Sequence, residues 1–161
     1  MSLFLTNGAK VSIGPVKRFT GTDWAASDFT SVTWKEIKET MSLGSVGDTA
    51  ELVTVKTLGR PRVGKLKGTV NAGSVELSAV TDYADEGQLA VRSAATDDED
   101  YAFKIEFSDK PAGGTNSIRY FTALVMSAQD QVDEADNVLK LVATLEIDSN
   151  VVVVHAAPAG P

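Results

Sequence analysis

Between residues 73 and 108 the hydrophobic period changes twice without a linker. Residues 73–79 alternate, with Val75, Leu77 and Ala79 on one side and polar or small residues between them, which predicts a strand with one buried face. A helix over about residues 82–96 follows, with Thr81 or Asp82 as cap and Asp85 and Glu86 placing negative charge near its positive end. Its packing stripe is Tyr83, Gly87, Ala90, Val91 and Ala94. A glycine inside a helix costs about 1 kcal/mol relative to alanine, so Gly87 on that stripe points to close approach of the helix backbone to a sheet. Residues 101–108 then alternate again, with Tyr101, Phe103, Ile105 and Phe107 on one face.

The flanking segments fit a mainly β chain. Residues 10–14 read as a short strand closed by Pro15, and residues 20–31 as a loop around Trp24. Trp34, Ile37, Met41 and Leu43 fit neither period cleanly, which suggests a strand with a bulge, with a helix as the second choice, and Trp34 as a core anchor. Residues 118–126 are apolar on both faces, residues 127–137 form an acidic loop, and residues 138–147 make the last alternating strand. The fold predicted is a small β-barrel or sandwich with one flanking helix. It occupies residues 1–148 as a single domain, and residues 149–161 form a flexible tail that frays or lends Val151, Val152, Val153 and Val154 to a neighbour's edge.

One segment departs from this pattern. From about residue 44 to 72 the chain is a glycine-rich excursion with one strand, at residues 51–57, so a long loop or hairpin arm is expected. Charge sets it apart further. The chain carries 22 acidic and 15 basic residues, a net charge of −7, yet Lys56, Arg60, Arg62, Lys65 and Lys67 fall in a stretch with no acidic residue. Negative charge concentrates in Asp97, Asp98, Glu99 and Asp100, and in Asp130, Asp133, Glu134 and Asp136. The arm is expected to be mobile alone and to order on an acidic surface, with these carboxylates as acceptors.

Chemistry is sparse. There is no cysteine and one histidine, His155, so thiolate chemistry, a His-based triad and a multi-histidine metal site are not expected. No Walker loop, nucleophile elbow or EF-hand loop occurs; Gly64 to Gly68 has the wrong spacing for phosphate. No cofactor or metal and no enzymatic activity are predicted. The N-terminus lacks a signal-peptide pattern and no apolar run approaches a bilayer span, so an intracellular product with no membrane partner is expected.

The order of features resembles the tail tube proteins of long-tailed bacteriophages. The likeness covers residues 30–148. It begins with Trp34, Lys35, Glu36 and Ile37 ahead of Ser42, Leu43 and Gly44, and continues through the glycine-rich excursion to Lys67 and Gly68. Then come the helix with Asp85, Glu86, Gly87 and Gln88, the aromatic strand from Tyr101 to Phe107, Tyr120 and Phe121 with Val125, and a closing alternating strand. What the resemblance implies is a virion structural protein made in the host cytoplasm, forming hexameric rings that stack into a hollow conduit for genome delivery. The partners implied are further copies of itself, the tail tip, tape measure and tail terminator proteins, and DNA as non-specific cargo. The type VI secretion tube protein shares the architecture and is an alternative, as is a β-sandwich module that binds carbohydrate or protein. No surface-decorating C-terminal domain is expected. A lumen that lets DNA slide should be net negative, with Glu36 or Lys38, Lys104 or Glu106, and Lys140 or Glu146 as the polar alternates available to line it.

Overall fold

The computed structural model describes residues 3–160. Its strands are β1 (Lys10–Val16), β2 (Lys35–Ile37), β3 (Thr40–Leu43), β4 (Thr49–Val55), β5 (Gly64–Asn71), β6 (Ser74–Val80), β7 (Asp100–Glu106), β8 (Ile118–Gln131), β9 (Lys140–Ile147) and β10 (Val152–Val154). The one α-helix among the described residues is α1 (Glu86–Ala94). An antiparallel sheet runs in the order β2-β1-β7-β8-β9-β6-β3, and β4 and β5 form a separate two-stranded ribbon. β10 lies on β8 at Ile118, Arg119 and Tyr120, the part of that edge which β9 does not reach. The C-terminal stretch expected to fray or to pair with a neighbour thus completes its own sheet.

The two ends of the sheet, β2 and β3, are consecutive in the chain. Ile37 pairs with Val11 of β1, and three residues later Thr40 pairs with Ala79 of β6, so the segment crosses from one end of the sheet to the other. The crossing bends at Lys38 and Glu39, where Glu39 takes the left-handed conformation at φ 57° and the Thr40 hydroxyl donates to the Ile37 carbonyl at 2.8 Å. The sheet is therefore curled and joined covalently, with no ladder closing it into a barrel. The sandwich-like form is the one realised.

Inside the curl lies the core, with Val11, Ile13, Val75, Leu77, Ile105, Ala143 and Leu145 around stacked Phe103 and Phe121, whose centroids are 5.7 Å apart. The two-sided apolar character of β8 has a structural cause. Its inner face carries Phe121, Ala123 and Val125, and its outer face is partly covered by residues 17–34, whose Phe19, Trp24, Phe29 and Trp34 form an aromatic layer with Tyr120. Trp34 is thus half-buried outside the sheet, with the Lys104 ammonium 5.5 Å from its ring, and is not the core anchor expected. The acidic loop expected from residue 127 starts later. A bulge beside Met126 keeps Ser127 to Gln131 in β8, paired with β9.

α1 is shorter than expected and is capped by Asp85, because the carboxylate of Asp85 accepts from Gln88 N–H at 3.0 Å. Tyr83 precedes the helix and is 62% exposed, with Arg92 over its ring, so it is not on the packing stripe. Gly87, Val91 and Ala94 are buried and Ala90 is half-buried. The fully buried polar member of that face is Gln88, which hydrophobic periodicity does not flag.

Candidate functional site

The first turn of α1 lies on the crossing between β2 and β3, where bent backbone leaves polar groups without ladder partners. Asp85 accepts from Lys38 N–H at 3.1 Å. The Gln88 carboxamide donates to the carbonyls of Lys38 (3.0 Å) and Val80 (2.8 Å) and accepts from Asp82 N–H (3.0 Å). This fixes the point from which the chain enters β3 and then the arm.

The arm is the ribbon β4–β5, two strands where one was expected. Cross-strand pairs give it two faces. Val53 opposite Leu66 and Val55 opposite Gly64 form an apolar face, while Leu52 opposite Lys67 and Thr54 opposite Lys65 form a mixed basic one. Both are open to solvent: residues 51–63 are all exposed, and Leu58 at the tip is fully so. None of Lys56, Arg60, Arg62, Lys65 and Lys67 takes part in an ion pair among the described residues.

Strand directions and register place the arm and the acidic β8–β9 turn at opposite ends of the sheet's strands. β6 and β8 run one way and β7 and β9 the other. The arm joins the end of β3 to the start of β6, whereas Asp97, Asp98 and Glu99 precede the start of β7 and Asp133, Glu134 and Asp136 lie in the β8–β9 turn. The turn follows the row of Val80, Lys140 and Gln131, at the far end of β6 from the arm, whereas Asp100 at the start of β7 falls on the row of Leu124, Glu146 and Ser74, where the arm enters β6.

Not every carboxylate of the two acidic runs is available. Glu99 is held by Arg18 at 2.7 Å, Asp130 by Arg92 at 2.6 Å and Asp133 by Lys140 at 3.7 Å. Asp97 accepts from the Tyr101 hydroxyl at 2.6 Å, which pushes the phenol up to about 12. Asp100 is buried and accepts from Phe19 N–H at 3.2 Å; burial pushes its carboxyl up, and neighbouring Asp148 adds to this. Asp98, Glu134 and Asp136 are left without an ion-pair partner among the described residues.

Two further surfaces stand out. The outer face of β8, β9, β6 and β3 is uncovered and largely polar: registered rows put Ser42 beside Ser78, Glu76 beside Thr144 and Ser127, Gln131 beside Lys140, and Ser74 beside Glu146. Of the alternates considered for a lumen, Lys140 and Glu146 lie on this face, while Lys104 and Glu106 sit on the half beside the aromatic layer, 3.8 Å from each other. The second surface is a groove at the arm end, between β3 and the start of β1. Among the described residues no His, Asp and Glu side chains gather as a metal site, and no helix is long and apolar enough to cross a membrane.

No family model matches the chain, and no curated protein matches its sequence. Solved structures match its fold over almost the whole length. A chain of the sheath/tube terminator of an extracellular contractile injection system, PVC, in its extended state is 12% identical, with a TM-score of 0.69 over 96% of this chain and 98% of that one. A chain of the anti-feeding prophage baseplate is 14% identical, with a TM-score of 0.66 over 96% and 98%. The SPP1 tail tube protein is 12% identical, with a TM-score of 0.64 over 95% of this chain and 80% of that one. The chain has the fold found in these tube and injection-system assemblies.

Proposed function

We propose that this chain is a structural, non-enzymatic subunit of a viral tail tube, assembling as hexameric rings that stack into a hollow conduit through which a genome is delivered. The observation that carries the reading is a polar asymmetry on a tube-protein fold: a basic arm at one end and Glu134 and Asp136 of the β8–β9 turn at the other, all without ion-pair partners among the described residues. Complementary ends associate head to tail, and a head-to-tail contact repeats without closing along the axis. Single exposed ion pairs contribute about 0–1 kcal/mol, so the five basic residues of the arm act together, and the apolar face with Val53, Val55 and Leu66 adds burial.

In this reading the uncovered face of β8, β9, β6 and β3 lines the conduit. Its Glu76 and Glu146 outnumber Lys140, and Ser, Thr and Gln fill most other positions, which suits a polyanion that must slide and not bind. The tail tip, tape measure and terminator proteins are the expected partners at the tube's ends, and the virion tail is its place. A second reading, the tube of a contractile injection system, is favoured by the two matches to such assemblies. Negative-stain microscopy of concentrated protein tests the shared core of both: rings or tubes are expected, and a protein that stays monomeric at all concentrations refutes it. A map of the tube then separates them. A wall richer in Lys and Arg than in Asp and Glu rules out a DNA conduit.

A further inference from the structure

We infer that the groove at the arm end receives the β8–β9 turn of a second copy, an inference that rests on the stacked-tube reading and names the contact surface it needs. The groove exists because β2 is only three residues long. Once the chain crosses from Ile37 to Thr40, β3 pairs with β6 alone, and its other edge faces the start of β1 with no ladder between them. Val11, Met41, Leu43, Val46 and Phe107 line the resulting space of about 460 Å³. Arg119 forms one wall. Its guanidinium lies 5.3 Å from the Phe107 ring centroid and donates to the Ile118 and Val154 carbonyls at 3.1 and 3.5 Å, but it joins no ion pair among the described residues.

An apolar groove with an unpaired cation on its wall fits an apolar side chain flanked by carboxylates. The β8–β9 turn offers that chemistry: Val132 and Val138 are 79% and 53% exposed, and Glu134 and Asp136 between them have no ion-pair partner among the described residues. The groove shares its end of the sheet with the arm, and the turn lies at the opposite end. Head-to-tail stacking therefore brings groove and turn together at the same step that brings the arm to Glu134 and Asp136. Leu3, Phe4 and Leu5, also exposed and apolar, and the arm's apolar face both belong to the groove's own end, so a stacked neighbour does not present them there.

Because the chain has no cysteine, cross-linking reads the contact directly. Met41→Cys protein is mixed with Val138→Cys protein under tube-forming conditions and treated with a short bis-maleimide; both positions are exposed, so folding is not at risk. Held at one contact, the two thiols have an effective concentration in the millimolar range, so heterodimer yield should exceed by about tenfold that of Met41→Cys with Lys110→Cys, a same-end control. Tubes seen by microscopy with no heterodimer above the control overturn the groove assignment and leave the tube reading standing. Absence of both tubes and heterodimer overturns the two together. Coupling of Met41→Cys to Phe4→Cys in place of Val138→Cys shows the groove filled by an N-terminal segment and likewise overturns the assignment.

Discussion

Gly87 touches the backbone of Ile37: a Cβ built on Gly87 would lie 2.8 Å from Ile37 Cα and 2.6 Å from the carbonyl carbon of Glu36. Both neighbours are main chain, at the point where the segment crosses between the two ends of the sheet, so neither can yield without moving the crossing. Helix propensity favours alanine by about 1 kcal/mol, and overpacking against fixed backbone costs about 1–3 kcal/mol or more. Gly87→Ala should therefore be destabilised despite its better helix residue, with a melting temperature lower by several degrees. Urea unfolding of Gly87→Ala beside Ser93→Ala, an exposed site on the same helix, checks this; equal stability of the two would mean that the helix is not pinned at Gly87.

Gln88 holds the same crossing by hydrogen bonds. Replacing it with leucine keeps the volume and leaves the carbonyls of Lys38 and Val80 and the amide of Asp82 without their side-chain partner. Each buried group orphaned costs about 1–3 kcal/mol, less than additively within one network. Gln88→Leu is expected to lower stability by more than any exposed substitution on α1. A denaturation midpoint unchanged from the parent would show the network to be dispensable.

Asp100 gives a pH dependence of definite sign. Its carboxyl is raised in the folded state, so the native fold disfavours the charged form, and the group is destabilising above its folded pKa and relieved as pH falls through it. Asn keeps an acceptor for Phe19 N–H and removes the charge. Asp100→Asn should be more stable than the parent at neutral pH, with the difference shrinking as the solution is acidified. Denaturant titrations at several pH values read this, and a gap that widens toward acid contradicts the sign.

The ribbon β4–β5 pairs with no other strand among the described residues and is mostly exposed, and an isolated two-stranded hairpin is marginal in water. In the dissociated subunit its amides should exchange within seconds to minutes while those of β7, β8 and β9 persist for far longer. In assembled tubes the ribbon should become protected. Strong protection of residues 51–69 in a verified monomer would contradict the picture of an arm that orders on assembly.

Reversal of charge at Arg60 and Arg62 to glutamate should weaken tube formation, and the parent's own assembly should fall as salt rises, because exposed charges are screened beyond about 10 Å at 0.1 M. Sedimentation at two salt concentrations measures both effects. Equal pelleting of the parent and the doubly reversed variant would shift the weight to Val53, Val55, Leu58 and Leu66 on the arm's apolar surfaces.

Period and charge were enough to mark much of this protein. Val75, Leu77 and Ala79, then Phe103 and Ile105, then Leu141, Ala143 and Leu145, alternate because a strand buries every second side chain, and each of them is in the core. The basic stretch from Lys56 to Lys67 is equally visible, since charge needs no fold to be counted. Other features exist only through contacts distant in sequence. Gln88 is buried because it meets Lys38, fifty residues away, and a lone glutamine inside a helix carries no periodic mark of that. Trp34 looks like a core residue by size, but Phe29 and Tyr120 gather it into an outer layer. Residues 152–154 look like a loose tail until β9 proves too short to cover the edge of β8. That Glu134 and Asp136 lie opposite the arm follows from strand order and register. The sequence carries local periodicity, while pairing between distant strands is settled only when the sheet curls and brings its two ends together.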